Sequence, residues 1–287
     1  MGEVEALVCV GVEASDIARW HELVFEVLGF LQGDGAENGV LHLRMDERGS
    51  GIVLEPSSND RVTAVGWEVR DQIVLAELRD RLAAADYVVK DMSPEEAQGR
   101  LVEEGFLMDV PGGTPVLDHS PVVTKYAHKL VTGDQGLGHV VAPSTNFDET
   151  YRFYSHTLGF LPRGAMRLPV TLEYGVQRTQ FLGVNQRHHS LALILAPEGR
   201  DPGLVHVMVE LDAVERALDQ VTKRDFPVSS TLGRHTNDKM ISFHVRVPGA
   251  WDIEYGAGGG LVDETYYTSQ EISADSNWGH EWAWATH

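Results

Sequence analysis

The chain has 287 residues, 43% of them hydrophobic and 23% charged, enough for two ordinary domains or one large one. Its 43 acidic against 23 basic residues give a net charge of −20, which argues against nucleic acid or anionic membrane as partners, because both demand cationic patches. No apolar run approaches a membrane span, no basic-then-apolar leader opens the sequence, and the single cysteine, Cys9, cannot form an internal disulfide, so a cytoplasmic protein is expected.

The chain opens with a predicted strand over 6–12, then a helix capped near Ser15-Asp16 and ended at Gly29. A strand, RVTAVGWEV (61–69), precedes a predicted helix over 74–84, and FLMDVPGGTPVL (106–117) reads as two strands about a Pro-Gly turn. After the polar, turn-rich stretch TKYAHKLVTGDQG (124–136) the same order begins again. LVCVGVEASDIARWHELVFEVLGF (7–30) lies in constant register with LGHVVAPSTNFDETYRFYSHTLGF (137–160). GLVHVMVEL (203–211), with a predicted helix over 213–221, echoes 61–69, and FHVRVPGAWDIE (243–254) echoes 106–117. An internal repeat decides the architecture. It predicts two domains, 1–130 and 131–287, each reading strand, helix, strands twice over.

The copies differ where chemistry would sit. Cys9 aligns with His139, Val65 with His206, and Leu117 with Glu254, so only the second copy carries two imidazoles and a carboxylate. Glu254 stands between Ile253 and Tyr255 on a predicted strand over 251–255, where a carboxylate needs a cation or a donor. That strand follows another over 240–247, and His235 and His244 lie nearby in LGRHTNDKMISFHVRVPGAWDIEYG (232–256). The bland alternative is an ordinary hairpin with a surface glutamate and two satisfied histidines. Two His and one carboxylate on separate strands make a facial triad for Fe(II), and Zn(II), Mn(II) or Ni(II) accept the same ligands.

GLGHVV (136–141), NQRHHSLAL (185–193), LVHVMVE (204–210), LGRHTND (232–238) and IEYGAGG (253–259), in this order, resemble the type I extradiol ring-cleaving dioxygenases of the vicinal oxygen chelate fold. The resemblance extends to RMDER (44–48) and NWGHE (277–281). It implies an α+β chain of two vicinal-oxygen-chelate domains, each of paired βαβββ modules, with metal only in the C-terminal one. It implies Fe(II), or Mn(II) in its place, held by His139, His206 and Glu254, with O2 as co-substrate. The implied reaction is extradiol (meta) cleavage of a small catechol-type diol to a muconic semialdehyde-type product, in a homo-oligomer. His189 matches the pocket histidine that takes and returns a proton, and His235 matches a donor near the metal-bound oxygens. Asn237 and Asp238 are expected to hold the loop of His235. At His244 the family usually has tyrosine, so a substrate donor is altered there.

Other residues are expected to carry no chemistry. His188 should face away from His189 if both lie on a strand. Trp278, Trp282 and Trp284 read as a packing tail, His280 as structural, His119 and His128 as surface, and Cys9 as a small buried hydrophobe. Pocket walls are sought near Thr179, Phe181 and Val184. Two other functions fit the fold: a glyoxalase-type metal-dependent lyase or isomerase, and a non-catalytic binding or resistance protein for a small aromatic.

Overall fold

A computed structural model describes residues 3–33, 39–45, 48, 51–111, 117–119, 135–172, 175–196, 203–211, 214–249 and 251–283. Strands β1 (Val4–Ala14), β2 (Leu31–Gln32), β3 (Leu41–Arg44), β4 (Ile52–Pro56), β5 (Arg61–Val69), β6 (Val89–Asp91), β7 (Glu104–Met108) and β8 (Leu117–His119) form one sheet in the order β2-β3-β4-β1-β5-β8-β7-β6. The second sheet holds β9 (Gly138–Ser144), β10 (Leu161–Leu172), β11 (Gly175–Gly183), β12 (Leu191–Leu195), β13 (His206–Glu210), β14 (Val228–His235), β15 (Ile241–Arg246) and β16 (Asp252–Ala257) in the order β10-β11-β12-β9-β13-β16-β15-β14. Two short strands close its edges, β17 (Gln270–Ile272) beside β10 and β18 (Ser276–Trp278) beside β14. Apart from those edges the second order repeats the first strand for strand, as the internal repeat requires. Each sheet is a pair of βαβββ modules, and the chain is α+β.

Five helices fill the connections among the described residues: α1 (Ile17–His21), α2 (Gln72–Ala84), α3 (Pro94–Arg100), α4 (Phe147–Arg152) and α5 (Glu215–Lys223). Asp16 caps α1 by accepting from Arg19 N at 2.9 Å. Both α1 and α4 run on into a wide π turn and stop at the Leu-Gly-Phe that the copies share. Gly29 and Gly159 each sit there at φ 75°, a left-handed conformation that costs a side-chain-bearing residue about 1–2 kcal/mol.

One hydrophobic core holds residues of both sheets. Trp20 on α1 meets Trp251 at 5.6 Å, while Trp67 on β5 meets Phe160 at 4.9 Å, so each half seats rings of the other. Complete burial of Phe153 and Phe160 contributes roughly 1.5–3 kcal/mol each. The expected boundary near 130 lies outside the described residues, as do His128, Trp284, and Asp46 and Glu47 of RMDER.

The sheet registers correct two of the alignments. Cys9 pairs with Gly66 as His139 pairs with Met208, and Gly11 pairs with Ala64 as Val141 pairs with His206. The first-copy counterpart of His206 is therefore Ala64, not Val65, with the same unbroken register from Cys9 to Gly11 as from His139 to Val141. Phe106 pairs with Leu117 as Phe243 pairs with Tyr255, so Leu117 answers Tyr255 and the position answering Glu254 is 116, outside the described residues. His119 is the last residue of β8.

Candidate metal centre and pocket

The three candidate ligands sit on β9, β13 and β16, consecutive neighbours in the second sheet. Met208 lies directly opposite both His139 and Glu254, and His206 is two residues from Met208, so all three side chains leave the same face. Their donor atoms converge: His139 Nε2 and His206 Nε2 are 3.2 Å apart, and each is 3.1 Å from Glu254 Oε2. Ligands at 90° around an ion with bonds of about 2.1 Å stand about 3.0 Å apart, against about 3.4 Å for tetrahedral angles. The triangle matches one octahedral face more closely than a tetrahedral one. Glu254 Oε2 is buried and takes no well-directed hydrogen bond, as an atom placed for a cation would be. The donor set and spacing therefore fit a divalent first-row metal.

Four imidazoles surround that carboxylate. Burial by itself would raise the pKa of Glu254, but the imidazoles around it, with the charged His235 ring donating to Oε1, hold it well below the ordinary carboxylate range. His235 Nε2 donates to Glu254 Oε1 at 3.1 Å, and its Nδ1 faces the Asp275 carbonyl at 3.4 Å. Both neighbours can only accept, so the ring is doubly protonated without metal. Burial opposes that charge, yet the hydrogen bond to Glu254 outweighs it with help from Asp238 and Asp275, and the pKa rises to about 10.

His189 stacks on His139 with centroids 4.0 Å apart, and burial holds it well below its usual pKa. His188 does not face the other way. The pair precedes β12 rather than lying on it, and His188 Nδ1 meets His189 Nδ1 at 3.1 Å. His188 Nε2 meets Tyr267 Oη at 3.0 Å, and burial lowers its pKa to about 4. Asp238 Oδ1 accepts from Met240 N at 3.0 Å, a local backbone bond that ties down the loop after His235.

These groups open on a cavity of about 440 Å³. His139, His189, His206, His235, Asn237 and Asp238 form much of its polar end. Val141, Met166, Phe181 and Ala192, backed by Leu168 and Ile194, form the apolar wall. Thr179 and Phe181 line it, whereas Val184 belongs to the main core. Trp282 also lines it, a correction to the packing-tail reading, while Trp278 is 48% exposed. His280 lines it too, pinned by Ser276 Oγ at 2.6 Å and Ser242 Oγ at 3.2 Å. Asp275, Ser276 and Trp282, which reach the cavity through β18, and Tyr267, which reaches His188 from the segment before β17, were not signalled by the repeat, because they follow the last module.

His244 is fully buried between the rings of His206, at 4.8 Å, and Trp282, at 4.7 Å. It does not line the cavity, neither ring nitrogen has a hydrogen bond, and Glu254 Oε1 is 3.9 Å away. Burial places its pKa well below normal, so it is neutral. Removing an unsatisfied buried polar ring for an apolar one is near neutral or stabilising. The His244→Phe variant is thus expected to fold, keep its metal, and match the parent's melting temperature and pH–rate profile. A turnover loss above about tenfold at full metal content would instead give His244 a part in the chemistry.

Burial also makes the metal-free protein acid-sensitive. It lowers the pKa values of His139, His188 and His280 from 6.5 to about 4. As pH falls from 6.5 towards 4, the unfolded chain takes up protons that the folded chain refuses, so stability drops across that window. His235, shifted the other way, already contributes fully below 6.5 and loses its contribution only as pH rises towards about 10. Thermal melts of the metal-free protein should fall steadily between pH 6.5 and 4.5; a flat series would contradict neutral buried rings.

Comparison with known proteins agrees with this geometry. Residues 7–56 match the family "Dihydroxybiphenyl dioxygenase BphC D1", and residues 136–255 match the "Glyoxalase/Bleomycin resistance protein/Dioxygenase superfamily". The chain is 38% identical to an iron-dependent extradiol dioxygenase of Rhodococcus jostii (strain RHA1) over 98% of each. It is 31% identical to the biphenyl-2,3-diol 1,2-dioxygenase of Paraburkholderia xenovorans (strain LB400), over 97% of this chain and 95% of the other. Among solved structures, a halotolerant catechol dioxygenase superposes with a TM-score of 0.89 at 28% identity, covering 98% of this chain and 95% of that one. The 2,2',3-trihydroxybiphenyl 1,2-dioxygenase of Sphingomonas wittichii strain RW1 gives 0.88 at 28% identity, over 97% and 99%. With a repeat that puts all three convergent candidate ligands in the second sheet, and with relatives that match nearly end to end, this chain belongs to the extradiol dioxygenases of the vicinal oxygen chelate superfamily.

Proposed function

We propose that the protein is an Fe(II)- and O2-dependent extradiol dioxygenase that opens the ring of a catechol beside its diol, with His139, His206 and Glu254 as the iron ligands. The observation that carries this is the triangle of donor atoms, 3.1–3.2 Å on each side, at the polar end of a cavity whose other wall is apolar. Fe(II) held by His139, His206 and Glu254 would supply a redox-active Lewis acid at the polar end of the cavity. The chain's own residues do the rest. His189, neutral and stacked on a ligand, takes a proton from a diol hydroxyl and returns it later. His235 donates to Glu254 Oε1, which turns Oε2 towards the two histidines. Asn237 and Asp238 hold the rim beside it.

The wall of Val141, Met166, Phe181 and Ala192 favours a catechol with an apolar ring substituent, and a volume near 440 Å³ has room for one. We further infer a cytoplasmic protein, in keeping with the buried Cys9 and its lack of a second cysteine; among the described residues no helix is long and apolar enough to cross a membrane. A homo-oligomer is the proposed assembly.

The test is anaerobic loading with Fe(II), addition of 2,3-dihydroxybiphenyl, then admission of air. A yellow product formed with one O2 consumed per diol is expected. Tight diol binding without O2 uptake would point instead to a protein that only sequesters aromatics.

A further inference from the structure

A chain of hydrogen bonds runs from the cavity to the half-buried Tyr267, which lies outside the cavity lining. His189 Nδ1 meets His188 Nδ1 at 3.1 Å, His188 Nε2 meets Tyr267 Oη at 3.0 Å, and Tyr267 Oη donates to the Arg163 carbonyl. The last link has only one possible direction, because a carbonyl oxygen can only accept. The hydroxyl proton is thereby committed, and Tyr267 Oη can only accept from His188. His188 must then carry its proton on Nε2. Being neutral, it presents a lone pair at Nδ1. The proton between the two histidines therefore belongs to His189 Nδ1, and His189 Nε2 is left bare. That nitrogen takes no hydrogen bond from any described residue, and the ring lines the cavity.

We infer that Tyr267 and His188 are positioning residues that lock His189 in its Nδ1-protonated tautomer, so that the nitrogen offered to substrate is a base. The use of that base rests on the proposed ring cleavage; the tautomer does not. In the step it serves, a diol O–H breaks, its proton forms a bond to Nε2, and the ring becomes imidazolium while the diol oxygen keeps the electron pair. Arg163 holds the far end of the chain. It is 2% exposed, lies over the Tyr267 ring at 5.5 Å, and pairs with Glu264 and the Asn185 carbonyl. Asp238 Oδ2, at 3.9 Å from His189 Nδ1, is too distant to set the tautomer itself.

Tyr267→Phe removes the fixed acceptor and frees His188 to turn its proton towards His189. The experiment is long-range proton–nitrogen correlation on the full chain, labelled with 15N-histidine and loaded with diamagnetic Zn(II). The His189 signals are assigned by their loss in His189→Ala. The parent should show His189 protonated on Nδ1, and Tyr267→Phe should show a mixture or the opposite tautomer. In the iron enzyme, kcat of Tyr267→Phe should fall about 10- to 100-fold with KM nearly unchanged, as when outer-sphere partners are lost. His188→Asn restores an acceptor at the position of Nδ1 and should recover both the tautomer and most of kcat; His188→Leu should recover neither. Protonation of His189 on Nε2 in the parent, or an unchanged tautomer in Tyr267→Phe, would overturn the inference. The expected tautomers in a protein that cleaves no diol would uphold it and sink the ring-cleavage reading instead.

Discussion

Glu254→Ala is expected to release the iron. The carboxylate is 1% exposed and supplies the only negative charge of the triangle, with two imidazoles at 3.1 Å on one oxygen and the His235 ring at 3.1 Å on the other. Its loss leaves two imidazole donors and a His235 whose hydrogen-bond partner has gone. Outer-sphere partners of a metal are worth about 10- to 100-fold in affinity, and a charged ligand should exceed that. After anaerobic loading and desalting, the variant should hold well under one iron per chain and turn over at least about 100-fold more slowly. Glu254→Gln separates charge from shape: it can still accept from His235 but lacks the negative charge, so it should fold like the parent and bind iron weakly. One iron per chain retained by Glu254→Ala would remove the carboxylate from the site.

Why those three residues could be found without coordinates is itself physical. A sheet position that faces a core or a pocket is ordinarily apolar, so an imidazole or carboxylate there stands out once a second copy of the strand shows the ordinary residue. Cys9 against His139 is such a case, and the register upholds it. The other two alignments slipped by one residue, at Val65 and Leu117. The first slipped by a count of one, since 61–69 laid on 203–211 without a gap already sets Ala64, not Val65, against His206. The second slipped because the hairpin from Phe243 to Tyr255 is one residue longer than that from Phe106 to Leu117. The conclusion survived because Ala64 and Val116 offer a metal no more than Val65 and Leu117 do. After β16 only the NWGHE motif and the tryptophan-rich tail were legible, and neither told which residues reach the site. Trp282, Asp275 and Tyr267 enter the site because β18 pairs with β14 and because Val262 N bonds to Gln186 O at 2.7 Å, and neither contact leaves a periodic trace. His188 was misplaced for a related reason: alternation was applied to residues that stand before the strand.

The last expectation concerns His189, whose two contacts make different demands. One face of the ring lies against His139, a proposed ligand, at 4.0 Å; the ring edge is the part that would carry the proton in the proposed reaction. His189→Ala removes both, so a loss of turnover in that variant alone would not say which mattered. His189→Phe keeps an aromatic ring against His139 but has no nitrogen. It should hold iron and bind the diol like the parent while kcat falls by roughly two to four orders of magnitude, the usual cost of removing a general acid–base group. His189→Ala should show the same kcat loss with a looser metal, since a cavity then opens beside His139. In both, any limb of the pH–rate profile that belongs to His189 should vanish, leaving a slow, flat rate. If His189→Phe instead turns over at nearly the parent rate across the pH range, the proton is carried by another group, and the ring serves only to hold His139 in place.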